Sequence, residues 1–292
     1  MKNLTIILPA RNEALALEYL LPELKRCAGE AEIIVVNDGS TDDTVVLCKS
    51  CQVRVISHPY PKGNGAAIKT GARAASGKVL LFMDADGQHQ PEDVPRLLEK
   101  FAEGYDMVVG ARQSGSHAGA HRAVANDLFS RFATWMVQQP VEDLTSGFRM
   151  VKANKFRKFL YLLPNGFSYP TTITMGFFRA GFSVAYLPIN TPRRTTGKSH
   201  IRPVRDGVRF MLIIIKIGTL YSPQKLFLPL SAGFFFTGIG YYFYTYLSVG
   251  RFTNMSTLFF ISAIFTFLIG IVSEQISGLH YKDIDRTHDQ GD

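Results

Sequence analysis

The chain has 292 residues, 46% of them hydrophobic and 19% charged, a balance that is typical of a folded protein and excludes a disordered one. Its formal net charge of +8 is uneven, because residues 193–225 contain eight Lys or Arg residues and one acid, Asp206. Such a basic block is typical of a surface that faces nucleic acid or anionic lipid. Three cysteines, Cys27, Cys48 and Cys51, form no even disulfide framework, and the N-terminus lacks a signal-peptide pattern. We therefore expect a reducing, cytosolic environment for most of the chain.

The first 110 residues alternate short apolar runs with helical patterns. The predicted strands are LTIILP, EIIVVN, VRVISH, KVLLFM and DMVVGA, with helices expected from about residues 14, 42 and 65 and after Pro91. Beyond them the sequence predicts a helical stretch over residues 119–138, two helices on either side of a turn at 164–170, and a strand VAYLPI. Continuous apolar strands separated by helices predict an α/β fold with a mostly parallel sheet that is covered on both faces.

Polar residues follow each of the first five predicted strands. These residues are 11–13, 37–40, 58–64, 84–89 and Arg112. The carboxyl ends of parallel strands meet at one edge of a sheet, and ligands of open α/β sheets bind at this edge. We therefore predict that the five segments form one polar rim.

Asp84 and Asp86, with Gln88 two residues further on, present oxygen atoms at the end of the fourth strand. Two close carboxylates repel each other unless a cation lies between them, and a hard divalent ion suits one or two carboxylates together with substrate phosphates. Such a pair also occurs in solvated turns. Its place in the predicted rim favours a metal-phosphate site.

Two glycine-containing segments fail the phosphate-binding patterns that they suggest. YPKGNGAAIKTG precedes a predicted helix, but a dinucleotide fingerprint would need a glycine at Ile68. The GKS at residues 197–199 would need a glycine at Pro192 to be the phosphate-binding loop of an ATPase. Both departures argue against a dehydrogenase and an ATPase.

No charged side chain occurs over residues 226–250, and after Arg251 none occurs before Glu274. A helix needs about 20 apolar residues to cross a bilayer. We therefore predict a hairpin of two transmembrane helices, at about 226–249 and 253–274. Basic residues before and after the hairpin predict that the N-terminal domain and the tail lie in the cytosol. The alternative is a pair of buried core helices in a soluble protein.

Arg202, Arg209 and Lys216 recur every seven residues, so a helix here would carry a basic stripe beside an apolar face. This pattern is typical of a helix in the membrane interface, so we expect the basic block to contact lipid headgroups and not nucleic acid. The predicted organisation is an α/β domain over residues 1–203, an interfacial amphipathic helix over 204–224, the hairpin over 225–276 and a cytosolic tail over 277–292.

Six motifs occur in the order and spacing found in family 2 glycosyltransferases. They are LPARNE (8–13), VVNDGSTDDT (35–44), KGNGAAIKTG (62–71), DADGQH (84–89), SGFR (146–149) and RTTGKSH (194–200). Over residues 1–205 the chain thus resembles this family, and it is most similar to the dolichyl- or polyprenyl-phosphate mannose and glucose synthases. The resemblance implies a GT-A fold, which is a Rossmann-like catalytic domain, ahead of the interfacial helix and the hairpin.

The resemblance also implies roles for individual residues. The residues at the nucleotide base and ribose are Pro9, Ala10, Asn12, Glu13 and Asp38, and the nucleotide or diphosphate contact is Lys62. The site for Mg²⁺ or Mn²⁺ on the diphosphate is formed by Asp84, Asp86 and Gln88, with Ala85 in the same motif. The cationic contacts are the phosphate-binding Arg112, Arg122 and Arg149, together with Arg194 and Lys198 of a mobile loop over the donor. The candidate catalytic residues are Asp86, Arg149 and Asp143, the last as a base or as a residue that only orients the acceptor.

The function so implied is metal-dependent, inverting transfer of a hexosyl unit from GDP-mannose or a UDP-sugar to polyprenyl phosphate at the cytosolic membrane face. Mannose is favoured, with glucose and N-acetylhexosamine as alternatives, and the polyprenyl group is a dolichyl or undecaprenyl chain. A phosphate monoester has a second pKa of about 6, so this acceptor is largely ionised and needs no strong base. Two alternatives stay open. One is transfer to a hydroxyl group of a glycolipid or polysaccharide, which needs a true base, and the other is a non-catalytic membrane scaffold.

Overall fold

The computed structural model describes residues 3–112, 130–166, 169–191, 215–216 and 218–286. The chain forms two compact units, Met1–His200 and Ile201–Asp292. The first unit contains a seven-stranded sheet with helices, and the second contains the C-terminal helices.

The strands of the first unit coincide with the apolar runs of the sequence. They are β1 (Leu4–Ala10), β2 (Glu32–Asn37), β3 (Arg54–Ser57), β4 (Val79–Phe82), β5 (Met107–Arg112), β6 (Arg149–Lys152) and β7 (Val184–Ile189). Their order across the sheet is β3-β2-β1-β4-β6-β5-β7, and the pairings are parallel except the two that β6 makes. The predicted α/β fold with a mostly parallel sheet is confirmed. Central strands such as β1 are almost entirely apolar and buried because helices cover both faces.

Helices follow most of these strands. They are α1 (Ala14–Ala28), α2 (Thr44–Ser50), α3 (Asn64–Ala74), α4 (Asp93–Ala102), α5 (Ala153–Arg157) and α6 (Tyr169–Arg179). Of the helical stretch predicted over 119–138, the described part is helical over residues 130–137. α1 shows how the pattern works, because Leu17, Leu20, Leu21 and Leu24 recur at helical spacing and are buried.

β6 is the strand that the sequence analysis did not predict. It has four residues, begins with Arg149, and runs antiparallel between β4 and β5. Arg149 is in register with Phe82 of β4 and Val109 of β5. Because β6 runs the opposite way, its first residue lies at the edge where β4 and β5 end. The SGFR motif therefore lies at the predicted rim, beside DADGQH.

Two long helices form the C-terminal hairpin of the second unit, α7 (Pro223–Val249) and α8 (Asn254–Arg286). Both are long and apolar enough to cross a membrane. α7 ends at Gly250, which has the left-handed φ of 69° that favours glycine at a helix end. α8 continues to Arg286, so the first ten residues of the predicted tail are helical. The charges that end the apolar run do not end the helix, because Lys, Glu and Asp are compatible with helical backbone.

The buried residues that the structure describes between positions 224 and 279 are all small. They are Ser231, Gly238 and Thr245 in α7 and Ser256, Ala263, Gly270 and Ser277 in α8. In each helix they recur every seven residues, the spacing at which two helices cross at a small, left-handed angle. The helices approach closely: Ser231 Oγ donates to the Ala263 carbonyl at 2.8 Å, and a Cβ on Gly270 would lie 2.8 Å from Phe227 Cβ.

Many large apolar side chains of the hairpin are exposed and point away from this seam of small residues. Phe236, Leu247 and Phe265 are 68%, 81% and 62% exposed. A helix pair in water buries its large apolar side chains, whereas helix pairs in lipid meet through small residues and expose large ones. The hairpin therefore favours a membrane environment over the alternative of core helices in a soluble protein.

Replacing Ala263 with Phe should separate the two helices, because Ala263 is 4% exposed and lies against Ser231. Overpacking of this kind costs about 1–3 kcal/mol, so the melting temperature of the detergent-solubilised protein should fall. The matched control is Ile264→Phe, which adds an aromatic ring at a neighbouring side chain that is 60% exposed and should leave the melting temperature unchanged. Equal losses in the two variants would contradict the seam.

Candidate active site

The loops after β1 and β2 are joined by Asn12. Its backbone has a left-handed φ of 56°, a conformation that asparagine tolerates better than most residues. The Asn12 amide donates to Ser40 Oγ at 3.0 Å, and the Thr41 amide donates to Asn12 Oδ1 at 2.8 Å. Asn12 thus fixes the shape of the predicted nucleotide-binding edge. The neighbouring Glu13 amide donates to Thr44 Oγ1 at 3.3 Å.

Pro9 and Ala10 end β1 and form the base of the same edge. Ala10 is 2% exposed, and its carbonyl accepts the Asp38 amide at 2.9 Å. Neither residue has a polar side chain, and only Pro9 is partly exposed at the rim.

Asp38 is buried and its carboxylate is fully engaged by the protein. Oδ1 accepts the Lys62 amide at 2.7 Å and lies 2.8 Å from His58 Nδ1, while Oδ2 accepts the Gly63 amide at 2.8 Å. Burial alone would raise the pKa of Asp38, but the hydrogen bonds from His58 and the two amides hold it below its usual value. Asp38 therefore shapes the loop that carries Lys62, whose side chain is exposed with Nζ 5.5 Å from the Tyr60 ring centre.

The sequence analysis gave no role to His58, which links Asp38 to α3 through a contact of 2.9 Å between Nε2 and Thr70 Oγ1. The residues of this chain of contacts are 12 to 20 positions apart, so no local motif reveals it.

Glycines 63 and 65 serve packing at the start of α3. A Cβ at Gly65 would lie 2.1 Å from the Pro164 carbonyl oxygen, so the segment around 164–166 passes directly over the glycine. The Gly65 amide donates to Gly166 O at 3.2 Å and the Ala66 amide to Asn165 O at 3.1 Å. Protein carbonyls thus occupy amides that a phosphate-binding loop would offer to its ligand, which agrees with the failed fingerprint.

Asp84, Asp86 and Gln88 lie in the loop after β4, and all three are partly exposed while Ala85 is buried. The loop turns tightly at Gly87, which has a φ of 73°. The Gln88 amide donates to Asp86 Oδ1 at 3.1 Å. Two carboxylates and an amide oxygen are a donor set that fits Mg²⁺ or Mn²⁺, with the remaining ligands coming from water or phosphate.

His89 ends this loop and is buried. Its Nδ1 accepts the Asp84 amide at 3.3 Å, and its ring stacks on Phe148 with the ring centres 5.0 Å apart. Burial lowers the pKa of His89 to about 4, so the imidazole is neutral at physiological pH.

Gly147 of the SGFR motif lies against the Asp84 carboxylate. A Cβ at this position would lie 2.7 Å from Asp84 Oδ2 and 3.1 Å from Oδ1. Only a glycine leaves room for the carboxylate where it is, so this position is part of the candidate metal site. The sequence analysis noted the motif for its arginine and missed the glycine.

Arg112 and Asp143 form a bidentate ion pair at the rim. Arg112 Nε lies 2.8 Å from Asp143 Oδ2, and Nη2 lies 3.0 Å from Oδ1. Asp143 also accepts the amides of Thr145 and Ser146, each at 3.0 Å. Burial alone would raise the pKa of Asp143, but the Arg112 hydrogen bonds and charge hold it below its usual value. The carboxylate is therefore a poor proton acceptor.

Arg149 is fully buried beneath the rim, with 0% exposure. Nη1 donates to the Pro170 carbonyl and to Thr174 Oγ1, both at 3.0 Å, and Nη2 donates to the Ser146 carbonyl. Burial lowers its pKa, while the charges of Asp143 and Asp84 oppose that shift. In this structure Arg149 adds positive charge under the carboxylates without reaching the surface where a phosphate would bind.

Three predicted site residues, Arg122, Arg194 and Lys198, lie outside the described residues, as does most of the predicted interfacial helix. The last part of that helix is described, and residues 215–216 and 218–221 are helical.

Replacing Gly147 with Ala should displace the Asp84 carboxylate and weaken Mn²⁺ binding by about tenfold or more, as loss of support for a metal ligand does. Titration of the purified protein with Mn²⁺, followed by electron paramagnetic resonance of the unbound ion, measures this. Gly233→Ala is the control, because a Cβ there meets no atom within 4 Å. Unchanged Mn²⁺ affinity in Gly147→Ala would show that Gly147 does not set the position of a metal ligand.

Comparison with known proteins agrees with this fold. Residues 5–160 match glycosyl transferase family 2, and residues 222–279 match the GtrB C-terminal hairpin. Glycosyltransferase AglJ of Haloferax volcanii is 25% identical, over 96% of this chain and 96% of its own. Undecaprenyl-phosphate mannosyltransferase of Micrococcus luteus is 29% identical, over 68% of this chain and 87% of its own.

The structure of glucosyl-3-phosphoglycerate synthase from Mycobacterium tuberculosis, solved with Mn²⁺ and UDP-glucose, shares the fold. It aligns over 74% of this chain and 78% of that chain, with a TM-score of 0.59 and 22% identity. The family match spans more than half of the chain and includes β6 and the carboxyl ends of all five strands from β1 to β5 that form the rim. The chain therefore belongs to glycosyl transferase family 2 and is a glycosyltransferase.

Proposed function

We propose that this glycosyltransferase moves one hexosyl unit, mannose before glucose or N-acetylhexosamine, from a nucleotide sugar to polyprenyl phosphate at the cytosolic face of a membrane. Two relatives' descriptions support the two substrates. The Micrococcus luteus relative is named undecaprenyl-phosphate mannosyltransferase, and the mycobacterial structure contains Mn²⁺ and UDP-glucose. The acceptor in this proposal is an ionised lipid phosphate.

The state of Asp143 is the observation that favours a phosphate acceptor. Both of its oxygens accept hydrogen bonds from Arg112, and its pKa is below the usual value. A hydroxyl acceptor needs a base that takes its proton, and Asp143 is the position that the resemblance implies for that base. An ionised phosphate needs no such base, so an Asp143 that only holds Arg112 in place is sufficient.

The charges at the rim support a bound diphosphate and metal. Asp84, Asp86 and Asp143 are negative and Arg112 and Arg149 are positive, so these five side chains sum to one negative charge. Asp84 and Asp86 would hold Mg²⁺ or Mn²⁺, which when bound neutralises charge on the leaving diphosphate. With that ion the cluster becomes positive by one charge, which suits an anionic donor.

The reaction needs no proton transfer in this scheme. An oxygen of the lipid phosphate forms a bond to the anomeric carbon while the bond from that carbon to the diphosphate oxygen breaks. The electron pair of the broken bond leaves with the nucleoside diphosphate, and an α-linked donor gives a β-linked product. Arg112, held by Asp143, would align the anions, because positioning two anions is the main difficulty of the reaction. Arg122, Arg194 and Lys198 are the further cations that we propose for the donor phosphates.

The hairpin supplies the membrane part of the proposal. Its outward aromatic and aliphatic side chains suit lipid, and the basic residues that flank it favour a cytosolic catalytic domain and cytosolic termini. An enzyme so anchored meets a lipid acceptor by diffusion in two dimensions.

Purified full-length protein with Mg²⁺, polyprenyl phosphate and radiolabelled GDP-mannose should form a labelled lipid, with one GDP released per lipid formed. UDP-glucose and UDP-N-acetylglucosamine are tested in parallel and should react more slowly. Asp86→Ala should lose transfer with every donor, because it removes one of the two carboxylates for the metal. Labelling of a hydroxyl acceptor, with none of polyprenyl phosphate, would overturn the acceptor assignment.

Asp143→Asn should slow transfer by about tenfold to a hundredfold and leave measurable turnover, because Asn still accepts one hydrogen bond from Arg112. Loss of a true general base usually costs about a hundredfold to ten-thousandfold. Since the pKa of Asp143 is lowered, its carboxylate is ionised throughout the neutral range. It is protonated only at a pH below the usual pKa of an aspartate. The pH dependence of kcat between about 6 and 8 should therefore be the same in wild type and Asp143→Asn. If kcat of the wild type falls toward low pH and kcat of Asp143→Asn does not, Asp143 is the base.

A further inference from the structure

The backbone amide of Asp84 leaves the sheet at the point where the candidate metal loop begins. The preceding amide, that of Met83, still donates to the Ile7 carbonyl of β1 at 3.2 Å. The Asp84 amide instead has His89 Nδ1 as its acceptor, at 3.3 Å. A buried amide without an acceptor is costly. The histidine supplies the acceptor that a carbonyl of a neighbouring strand would otherwise supply.

The His89 ring is held in one orientation. It is 5% exposed and lies nearly parallel to the Phe148 ring, with 5.0 Å between ring centres and 16° between planes. Phe148 is itself fixed, because its carbonyl accepts the Gly110 amide at 2.9 Å and a Cβ at Gly110 would lie 2.7 Å from Phe148 Cδ1. An imidazole held in this way keeps Nδ1 directed at the Asp84 amide.

Asp84 is thus held at its backbone amide and at its carboxylate. His89 accepts its amide, and Gly147, next to Phe148, lies against its carboxylate. The same short loop presents Asp86, whose Oδ1 accepts the Gln88 amide one residue before His89. A shift of His89 would move the backbone of both carboxylates.

We propose that His89 is a positioning residue, which sets the geometry of Asp84 and Asp86 for a divalent cation through its Nδ1 acceptor. It does not itself bind the cation, because an Nδ1 that accepts the Asp84 amide places the proton of the ring on Nε2 and leaves no lone pair for a metal. This proposal rests on the proposed function, which places a metal site at these carboxylates. It adds His89 as the residue that orders them.

Four variants test this with Mn²⁺ as the probe, using full-length protein in detergent without nucleotide and electron paramagnetic resonance of the unbound ion. His89→Phe keeps an aromatic ring for Phe148 but has no acceptor, and it should weaken Mn²⁺ binding by about tenfold or more. His89→Gln, whose amide lies nearer to the position of Nε2, should do the same. His89→Asn, whose amide oxygen overlays Nδ1, should stay within about threefold of wild type. Asp86→Ala defines the loss of the site.

The outcomes separate the inference from the proposed function. His89→Phe and His89→Gln with wild-type Mn²⁺ affinity would overturn the positioning role. A loss in His89→Asn as large as in His89→Phe would also overturn it, because ring packing and not the acceptor would then matter. Wild-type protein that binds Mn²⁺ no better than Asp86→Ala would remove the metal site and the inference together. Transfer that never reaches polyprenyl phosphate, with the expected order of Mn²⁺ affinities, would overturn the acceptor alone.

Discussion

The antiparallel insertion of β6 between β4 and β5 is the constraint on which the candidate site depends. The register of Arg149 with Phe82 brings the SGFR motif beside DADGQH, although the two are about sixty residues apart in the sequence. Two contacts follow from that register, Gly147 on the Asp84 carboxylate and Phe148 on the His89 ring, and Arg149 is buried next to them in the chain. A parallel strand at this place would put the motif at the opposite edge of the sheet.

Four aspartates of the rim divide into two groups according to their burial. Asp38 and Asp143 are buried, accept several hydrogen bonds from the protein and have lowered pKa values. Carboxylates of this kind order loops and cations. Asp84 and Asp86 remain partly exposed at the loop surface, where a cation with its own water and phosphate ligands can approach. The rim thus combines carboxylates that hold the protein in shape with carboxylates that suit a ligand.

The sequence predicted those features that depend on local pattern. Apolar runs such as LTIILP and EIIVVN gave the strands, and the polar residues after them gave the rim, because burial on both faces leaves a continuous signal. β6 was missed because its only apolar residues, Met150 and Val151, lie between two cations, and its antiparallel place between β4 and β5 is set by the fold. The partners of Asp38 and Asp143, at separations of 20 and 31 residues, were missed because the fold and not the spacing creates them. The motifs therefore located the site. The role of each carboxylate could be assigned only from its hydrogen-bond partners, which the structure shows.

The hairpin bears on the choice of acceptor. Its buried residues are small and many of its large apolar residues are exposed, so the hairpin suits lipid better than water. The polyprenyl phosphate that we propose as acceptor has a chain confined to the bilayer, so a membrane anchor places the enzyme where this acceptor lies. Because Arg112 occupies Asp143 at the rim, the catalytic unit suits an acceptor that arrives already ionised.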